Sequence, residues 1–305
     1  MNQYSSIRTN DGLQSNYNTF EGTAKVKKSN EKFPNEFSLL LCTYKNDNPQ
    51  HLKECLDSIT AGTVYPSEMV IVKDGPLSAE LEDVINSTHF PFEVNIVALP
   101  THRTQGIARR EGVAAAKYEW IALMDSDDIA LPDRFEKQMA EIAKDPSIDI
   151  IGGQIAEFDK YPAFAHAIRQ VPLSHTDIKA RLKTRNPFNA MTVMFRKTAA
   201  LKAGNFRYFP GFEDYDLWAR MISQGAICQN CKDVFVYART GSGMYSRRKG
   251  FGYIKQEWRM QVQLRQLKII TKWRFAYNIL MRIPVRMFPS IVIKNIYFYF
   301  TRSKT

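Results

Sequence analysis

Cysteine is scarce in this sequence, and no spacing gives the cysteines an obvious shared role. The four cysteines among 305 residues are Cys42, Cys55, Cys228 and Cys231. The last two form a Cys-x-x-Cys pair, but there is no second pair to complete a zinc site. We therefore expect free thiols in a reducing setting, and we interpret the pair as two small residues at the start of a strand.

Long apolar runs are also absent. The N-terminus is polar and lacks the apolar core of a secretory signal, so we expect a cytoplasmic protein. A membrane-spanning helix needs about 20 mostly apolar residues. In the C-terminal segment, every such window is interrupted by a basic residue or a proline: Lys272, Arg274, Arg282, Pro284, Arg286, Pro289 and Lys294. The sequence therefore predicts no spanning helix.

Acidic residues are almost missing from the C-terminal segment. The chain carries 42 Lys and Arg against 31 Asp and Glu, and residues 247–305 hold 14 of the basic residues but a single acid, Glu257. That segment therefore has a charge of +13, and the rest of the chain −2. We predict that residues 246–305 form a basic, amphipathic helical tail lying on an anionic membrane, at its inner face. The alternative is packing on the body, especially by residues 251–270; no recognised motif supports nucleic-acid binding.

The rest of the chain divides into a polar extension, residues 1–33, which we expect to be mobile, and one α/β domain, residues 34–245. Apolar runs predict strands at 37–44, 68–75, 93–100 and 120–125. Amphipathic stretches between and after them predict helices at 49–60, 77–87, 105–118 and 134–144. A second region predicts strands at 149–158, 192–197 and 233–239 and helices near 174–184 and 211–225. The alternation indicates a mostly parallel, Rossmann-like sheet flanked by helices.

Polar side chains stand at the ends of three of these predicted strands. Thr43 and Tyr44 are at the end of the first, Asp74 is at the end of the second, and the sequence "DSDD" with Asp125 and Asp127 is at the end of the fourth. In open parallel sheets, ligands bind beyond the carboxyl ends of the strands. The sequence therefore predicts a ligand site at this edge.

The sequence "DSDD" is suited to a metal ion. Two carboxylates at positions i and i+2 of a turn can face one cation, and hard ions such as Mg2+ or Mn2+ take oxygen ligands while leaving positions for substrate phosphates. The alternative is helix capping, to which Asp128 or Asp133 is equally suited. A calcium-binding EF-hand loop is disfavoured, because its spaced acids, its glycine and its terminal Glu are missing.

Other candidate groups have equally simple alternatives. The Asp74 carboxylate could accept a hydrogen bond from an imide N–H or a sugar hydroxyl, or it could form an ordinary Asp-Gly turn. The Tyr44 ring could stack on a base, or lie half-buried at a strand end. In "GFEDYD" the acids Glu213, Asp214 and Asp216 could supply a general base, or cap a helix.

Taken together, these segments resemble the family 2 inverting glycosyltransferases with the A-type nucleotide-sugar fold. The matching pieces, in the expected order between residues 39 and 220, are "LLLCTYKN", "EMVIVKDGP", "QGIARREGVAAAKYEWIALMDSDD" and "FEDYDLWAR". Three stretches resemble more closely the bacterial enzymes that assemble exopolysaccharide, capsule or O-antigen repeat units: "YKNDNP", "VKDGPL" and "RNPFNAMTVMFRK". In two places the chain departs from the pattern, with Cys42 where many relatives have Pro and Ala190 where a His is expected.

The resemblance implies roles for the residues at the sheet edge. Thr43, Tyr44 and Asp74 would hold the nucleoside, expected to be uridine. Asp125 would contact the ribose and the sugar side, and Asp127 would ligate Mn2+ or Mg2+ on the diphosphate.

The resemblance also implies that Asp214 is the catalytic base and that Glu213 is its neighbour on the acceptor side. Basic groups placed to neutralise phosphates or brace the acids are Arg103, Arg109 and Arg110, with a solvated helix face as the alternative. We further predict that the loop at 239–250 closes over the diphosphate through Arg247 and Arg248.

The activity implied is inverting, in-line transfer of a sugar from a UDP-sugar to a polyprenyl-diphosphate-linked saccharide. A nucleotidyltransferase is an alternative, but it should have a Gly-rich phosphate-cradling loop, which the first strand lacks. A catalytically dead membrane scaffold of the same fold is a second alternative. The presence of Asp74, Asp125, Asp127 and Asp214 argues against it.

Overall fold

A computed structural model describes residues 36–240, 250–287 and 303–304 of the chain. The extension predicted at residues 1–33 lies outside these residues. So do Arg247 and Arg248 of the predicted closing loop, and the end of the predicted tail apart from residues 303–304.

The first half of the domain has the alternation that the sequence predicts. The strands are β1 (Phe37–Thr43), β2 (Glu68–Lys73), β3 (Glu93–Ala98) and β4 (Trp120–Asp125), and the helices are α1 (Pro49–Thr60), α2 (Ala79–Ser87) and α3 (Gln105–Ala115). Local capping defines where α1 starts, because the side chain of Asn48 accepts hydrogen bonds from the backbone N–H groups of Gln50 and His51. Ser78 caps α2 in the same way.

The second half contains shorter elements. Its strands are β5 (Ile129–Ala130), β6 (Ile150–Phe158), β7 (Ala167–Arg169), β8 (Met194–Arg196) and β9 (Cys228–Arg239). Its helices are α4 (Arg134–Lys144), α5 (His175–Leu182), α6 (Lys197–Lys202) and α7 (Glu213–Ser223), with 3-10 turns at Pro162–Phe164 and Ala190–Thr192. The sequence did not predict β5, β7 or α6, because two to six residues are too few to show a hydrophobic period. β9 begins five residues earlier than the strand predicted at 233–239.

The strands form one sheet in which the longer pairings are parallel. β1 pairs with β2 and β4, β2 with β3, and β6 with β9, all in parallel. The short strand β8 joins the two halves by antiparallel pairing with β4 and β6. At the far edge, the segment Ser303–Lys304, named β10, pairs with β7. The predicted α/β class with a mostly parallel sheet flanked by helices is confirmed.

Apolar side chains cover both faces of the sheet. Successive residues of β1 point to opposite sides, so Leu40 belongs to one apolar layer and Leu41 to the other. The layer with Leu40 also contains Trp218 of α7, and both residues are almost fully buried. Burial on both faces leaves the strand ends as the place where polar groups gather.

The described part of the predicted tail forms two helices, α8 (Gly250–Gln266) and α9 (Lys272–Met287). α8 packs on the domain, because Met260 and Leu264 are buried in the layer that contains Trp218. α9 packs on α8, where Asn278 donates to the side-chain oxygen of Gln261 at 2.8 Å and Arg282 pairs with Glu257. No helix among the described residues is both long and apolar enough to cross a membrane.

The four cysteines are free thiols. Cys228 and Cys231 lie at the start of β9, where burial raises the pKa of each thiol to about 12. A thiol with so high a pKa is protonated and a poor nucleophile or metal ligand near neutral pH.

Candidate active site

The carboxyl ends of β1, β2 and β4 meet at one edge of the sheet. Cys42 lies opposite Val72 of β2 on one side and Asp125 of β4 on the other. The backbone N–H of Asp74 donates to the carbonyl of Thr43 at 2.8 Å. The structure therefore brings together the predicted nucleotide-side residues.

Asp74 is buried and holds the segment that leads into α3. One oxygen of its carboxylate accepts the N–H of Arg103 at 2.6 Å, and the other accepts the N–H of Thr104 at 3.1 Å. Nδ1 of His102 lies 2.9 Å from that second oxygen. An ionised carboxylate has about four acceptor positions, so Asp74 keeps acceptor capacity for a ligand N–H.

The backbone at this point is strained. Thr104, the residue before α3, has φ = 107°, which a β-branched residue rarely adopts. Such a conformation costs on the order of 1–3 kcal/mol and persists where surrounding contacts fix it. The two N–H bonds to Asp74 supply that fixation.

Tyr44 lies at the end of β1, with the ring of His102 beside it. The ring centroids are 5.5 Å apart with 29° between the planes, so the two rings are stacked. His102 is about half exposed. A base that stacks on this face of Tyr44 has to displace the imidazole.

Asp47 connects two loops of the site, and the sequence analysis did not single it out. Its Oδ2 accepts hydrogen bonds from the Thr43 hydroxyl at 3.0 Å, the Ser126 hydroxyl at 2.7 Å and the Tyr44 N–H at 3.2 Å. Burial raises the pKa of Asp47, although these hydrogen bonds partly offset the effect. Asp47 and Ser126 are 79 positions apart in the chain, so their contact could not be predicted from the sequence. The sequence could indicate only a local turn in which the Asp47 side chain accepts from a nearby backbone N–H.

Arg109 of α3 is the buried cation of the site. Its guanidinium donates to Asp125 at 2.6 Å, and Gln105 donates to the same oxygen at 3.3 Å. Burial alone would lower the pKa of Arg109, but the negative charges of Asp125, Glu213 and Asp214 outweigh it and raise that pKa. Arg109 therefore interacts electrostatically with both the nucleotide-side acid and the acids of α7.

The "DSDD" turn is anchored by the end of β9. The N–H of Arg239 donates to the carboxylate of Asp128 at 2.8 Å, and its guanidinium donates to the carbonyl of Asp127 at 3.1 Å and to Glu54 at 2.6 Å. Asp128 is buried, and burial, followed by the charges of Asp127 and Asp125, raises its pKa well above the usual value. Arg239 is a second residue that the sequence analysis missed.

The side chain of Asp127 is exposed at this turn. Over the ranges 36–240 and 250–287, no three His, Cys, Asp or Glu residues gather as ligands of a metal ion. Mg2+ and Mn2+ sites commonly use one or two carboxylates and complete the shell with water and substrate phosphates. An exposed carboxylate on a braced turn fits that kind of site.

The first turn of α7 carries the candidate base. Asp214 is half-buried, and its Oδ2 accepts a hydrogen bond from the Asn186 amide at 2.9 Å. Glu213 is buried, and burial, followed by the charge of Asp214, raises its pKa from 4.5 to about 7 in spite of Arg109. The two adjacent acids therefore lie in different environments.

Asp216, the third acid of this turn, has a structural role. Both of its oxygens are hydrogen-bonded by arginines, with Arg207 at 3.1 Å and Arg220 at 2.8 Å. Arg220 also donates to the carbonyl of Asn205 at 2.7 Å. Asp216 therefore fixes the loop before α7 and is not available as a base.

The starts of α3 and α7 are in close contact at Gly106. A Cβ added there would lie 2.5 Å from the carbonyl oxygen of Arg207 and 3.0 Å from the Cβ of Glu213. Only glycine permits this approach. The nucleotide side and the base side of the site are joined at this point.

The remaining predicted residues are on the periphery. Arg110 is exposed and pairs with Glu111 at 2.7 Å, in agreement with a solvated helix face. The side chain of Arg103 is exposed, although its backbone is bonded to Asp74. Ala190 lies half-buried in the 3-10 turn beside Asn189, whose buried amide donates to the carbonyl of Gly153 at 2.9 Å.

Comparison with known proteins identifies the family to which this chain is similar. The model of the family described as "Glycosyl transferase family 2" matches residues 38–204. The chain is 39% identical to an uncharacterized glycosyltransferase of Haemophilus influenzae, with 88% of this chain and 99% of that protein covered. It is 34% identical to the amylovoran biosynthesis glycosyltransferase AmsE of Erwinia amylovora, over 86% of this chain and 97% of AmsE.

The name of a third relative specifies a donor and an acceptor. The UDP-Gal:alpha-D-GlcNAc-diphosphoundecaprenol beta-1,3-galactosyltransferase of Escherichia coli is 31% identical, with 84% of this chain and 92% of that protein covered.

Solved structures share the fold at low sequence identity. S. aureus TarS 1-349 in complex with UDP-GlcNAc superposes with a TM-score of 0.62 at 15% identity, covering 87% of this chain and 73% of that one. The mannosyltransferase PcManGT from Pyrobaculum calidifontis, in complex with GDP-Man and Mn2+, gives 0.57 at 14% identity over 86% of this chain and 79% of that one. The A-type fold expected from the sequence is confirmed.

Proposed function

Because the chain belongs to glycosyl transferase family 2, we propose that it transfers one sugar from a UDP-sugar to a polyprenyl-diphosphate-linked saccharide, with inversion at the anomeric carbon. The product would be an intermediate of a surface polysaccharide such as O-antigen, capsule or exopolysaccharide. One observation carries the proposal: the buried cation Arg109 is bonded to Asp125 at the sheet edge and also interacts electrostatically with Glu213 and Asp214, the acids that open α7. That arrangement suits a donor and an acceptor that meet between the two groups.

The donor would bind at the ends of β1, β2 and β4. Tyr44 offers an aromatic face and Asp74 a carboxylate for a base N–H. The backbone N–H of Tyr44 donates to Asp47 in the same loop, and the Asp74 carboxylate accepts the N–H of Arg103. Asp125 would contact the ribose or the sugar, with Arg109 fixing its orientation. The name of the E. coli relative includes UDP-Gal, and TarS was solved with UDP-GlcNAc, which supports uridine as the nucleoside.

Asp214 would act as the general base. It takes the proton of an acceptor hydroxyl while that oxygen attacks the anomeric carbon, and the bond to the diphosphate breaks on the opposite face, so the configuration inverts. Asn186 fixes the carboxylate at 2.9 Å. The positive charge of Arg109 acts on Glu213 and Asp214 and keeps a cation close to the reacting groups.

A divalent cation, Mn2+ or Mg2+, would be held on the diphosphate by Asp127. When bound, such an ion stabilises the negative charge that develops on the departing nucleoside diphosphate. The residues of this chain keep the turn in place, since Arg239 bonds both the Asp128 carboxylate and the Asp127 carbonyl. PcManGT, solved with Mn2+, supports a divalent ion in this fold.

The acceptor would be presented at a membrane surface. α9 carries an outward apolar stripe at helical spacing, with Trp273 87%, Tyr277 52%, Leu280 71% and Met281 54% exposed. Lys268 and Lys272, both exposed, lie just before this stripe along the chain. An aromatic and apolar face with flanking cations suits the headgroup region of an anionic leaflet. The E. coli relative, whose name includes a diphosphoundecaprenol acceptor, supports a lipid-linked substrate.

Nucleotide binding tests the donor assignment. Titration calorimetry with UDP, GDP and ADP in the presence of Mn2+ should give heat with UDP alone. Asp74→Asn should weaken UDP binding by about tenfold or more, because a hydrogen bond to a charged acceptor contributes about 1.5–3 kcal/mol. Asp83→Asn, an acid on α2 away from the sheet edge, is the control. Binding of GDP or ADP in place of UDP would contradict the uridine assignment.

A further inference from the structure

A cavity lies beside α7, between residues 207–209 and α8. Its volume is about 350 Å3, and it is open to solvent. That volume is near the lower end of the roughly 300–1,000 Å3 typical of small-ligand sites. The lining includes three aromatic side chains and two amides: Tyr208, Phe209, Trp258, Gln263 and Gln266.

The lining has the chemistry that a carbohydrate requires. Tyr208 is 57% exposed and Trp258 47%, so aromatic faces are available to a ligand. Aromatic faces pack against the C–H face of a pyranose ring, while amide groups donate to and accept from its hydroxyls. A ligand that is apolar on its faces and polar at its rim fits this lining best.

The charges that line the cavity are largely committed to protein partners. Arg207 donates twice to Asp216, each time at 3.1 Å. The guanidinium of Arg259 lies 4.7 Å from the centre of the Phe209 ring and donates to the Gln256 amide oxygen at 2.8 Å. Arg207 is neutralised by Asp216, and Arg259 already contacts Phe209 and Gln256. Because binding a diphosphate would compete with these contacts, an uncharged, hydroxyl-rich ligand suits the lining better.

The segment that lines the cavity also positions the candidate base. The carbonyl of Arg207 lies against Gly106 at the start of α3. The carbonyl of Phe209 accepts the N–H of Phe212 at 2.9 Å, which forms the turn that opens α7. On the other side, the Trp258 ring lies 5.3 Å from Phe275 of α9, the helix with the outward apolar stripe. The cavity therefore adjoins both the base-bearing helix and α9.

We propose that this cavity binds a sugar unit of the acceptor saccharide other than the unit that receives the transferred sugar. The inference rests on the proposed function and adds to it the site that selects the acceptor. Tyr208 and Trp258 would pack on the ring, and Gln263 and Gln266 would bind its hydroxyls.

Saturation-transfer NMR with simple sugars tests the site directly. Methyl glycosides of glucose, galactose, N-acetylglucosamine and N-acetylgalactosamine are the probes, on the full-length protein saturated with UDP and Mn2+. At least one should show transfer from the protein, and Tyr208→Ala and Gln263→Ala should each reduce its affinity about fivefold or more. Tyr208→Phe, which keeps the ring, should retain most of the binding, and Leu201→Ala, an exposed residue of α6 outside the cavity, should retain all of it.

Two results would overturn the assignment. One is the absence of transfer from the wild-type protein to every glycoside; the other is transfer that Tyr208→Ala and Gln263→Ala leave unchanged. UDP release from UDP-sugars by the wild-type protein, measured without acceptor, keeps the two proposals separate. Wild-type donor hydrolysis without sugar binding contradicts the cavity assignment alone, whereas absence of donor hydrolysis and of UDP binding contradicts the proposed function.

Discussion

Arg109 is the residue on which both halves of the site depend. It is buried and bonded to Asp125 at 2.6 Å, and it also acts on Glu213 and Asp214. Arg109 is buried and Asp125 is 23% exposed. Removing one partner of such an ion pair leaves the other charge largely screened from water and without compensation. Breaking this pair should therefore lower the free energy of unfolding by more than breaking an exposed surface pair.

We expect Arg109→Gln to lower the free energy of unfolding by about 3–5 kcal/mol. Arg109→Gln with Asp125→Asn should cost less than the sum of the two single changes, because each single change leaves an unpaired charge. Urea denaturation of the four proteins measures this. Arg110→Gln is the matched control, since its pair with Glu111 is exposed and should matter little. Additive effects for Arg109 and Asp125 would show that the pair is not coupled.

Asp214 and Asp216, two positions apart, should behave in opposite ways. Asp214→Asn should lower kcat by about 10²–10⁴ and leave the melting temperature nearly unchanged, because a general base typically contributes that factor. Asp216→Asn should instead lower the melting temperature, because its two arginines lose their acceptor. Steady-state kinetics and thermal melts separate the two. An unchanged kcat in Asp214→Asn would show that Asp214 is not the base.

Glu213 predicts a pH dependence of stability. Its pKa is raised from 4.5 to about 7, so between these values the folded state binds more protons than the unfolded state. The contribution of Glu213 to stability is therefore fully present below pH 4.5 and is lost as pH rises through 7. Glu213→Gln cannot ionise at this position. The melting temperature of Glu213→Gln minus that of the wild type should therefore be a few degrees larger at pH 8 than at pH 5. An equal difference at both pH values would contradict the raised pKa.

At the scale of elements, the close contact between the starts of α3 and α7 restricts which residue can occupy position 106. Alanine normally favours a helix over glycine by about 1 kcal/mol. At Gly106, however, the added Cβ would meet the Arg207 carbonyl at 2.5 Å and the Glu213 Cβ at 3.0 Å. The backbone carbonyl cannot move without shifting the loop that opens α7.

Gly106→Ala should therefore destabilise the protein and reduce kcat, although it improves helix propensity. Gly252→Ala on α8 is the control, because a Cβ there meets nothing within 4 Å; it should be neutral or slightly stabilising. Thermal melts and UDP-release rates measure both effects. If the two alanine variants are alike, the contact between α3 and α7 does not constrain the site.

The elements also show what the sequence could predict. β1 to β4 and α1 to α3 were predicted because apolar periodicity is a local property, and their alternation gave the parallel sheet. Their order put Thr43, Asp74 and Asp125 at one edge, as the structure has them. Asp47 and Arg239 were not predicted, because their roles depend on contacts over 79 and 111 positions. The separate roles of Asp214 and Asp216 required the position of Arg207, which periodicity does not give.

At the scale of the whole molecule, charge and apolar exposure coincide in the tail. The segment 247–305 carries +13, and α9 exposes Trp273 at 87% on its outward stripe. If the proposed membrane contact is made by this stripe, Trp273→Glu should reduce binding to vesicles that contain phosphatidylglycerol by about tenfold, because it removes an exposed aromatic and adds a negative charge. Phe164→Glu, an aromatic that is 76% exposed in a 3-10 turn of the domain, is the control. Vesicle flotation at two salt concentrations measures both; equal binding by the two variants would place the membrane contact elsewhere.

The most direct test of the account is UDP release by the purified protein with Mn2+ and a panel of UDP-sugars, beside Asp127→Ala. The account predicts slow hydrolysis of one donor, abolished by EDTA and in the variant, while Asp133→Ala, an acid of the same segment that pairs with Lys137, retains it. UDP release that persists in EDTA and in Asp127→Ala would contradict the metal site. The absence of both hydrolysis and UDP binding would contradict the assignment of a UDP-sugar donor.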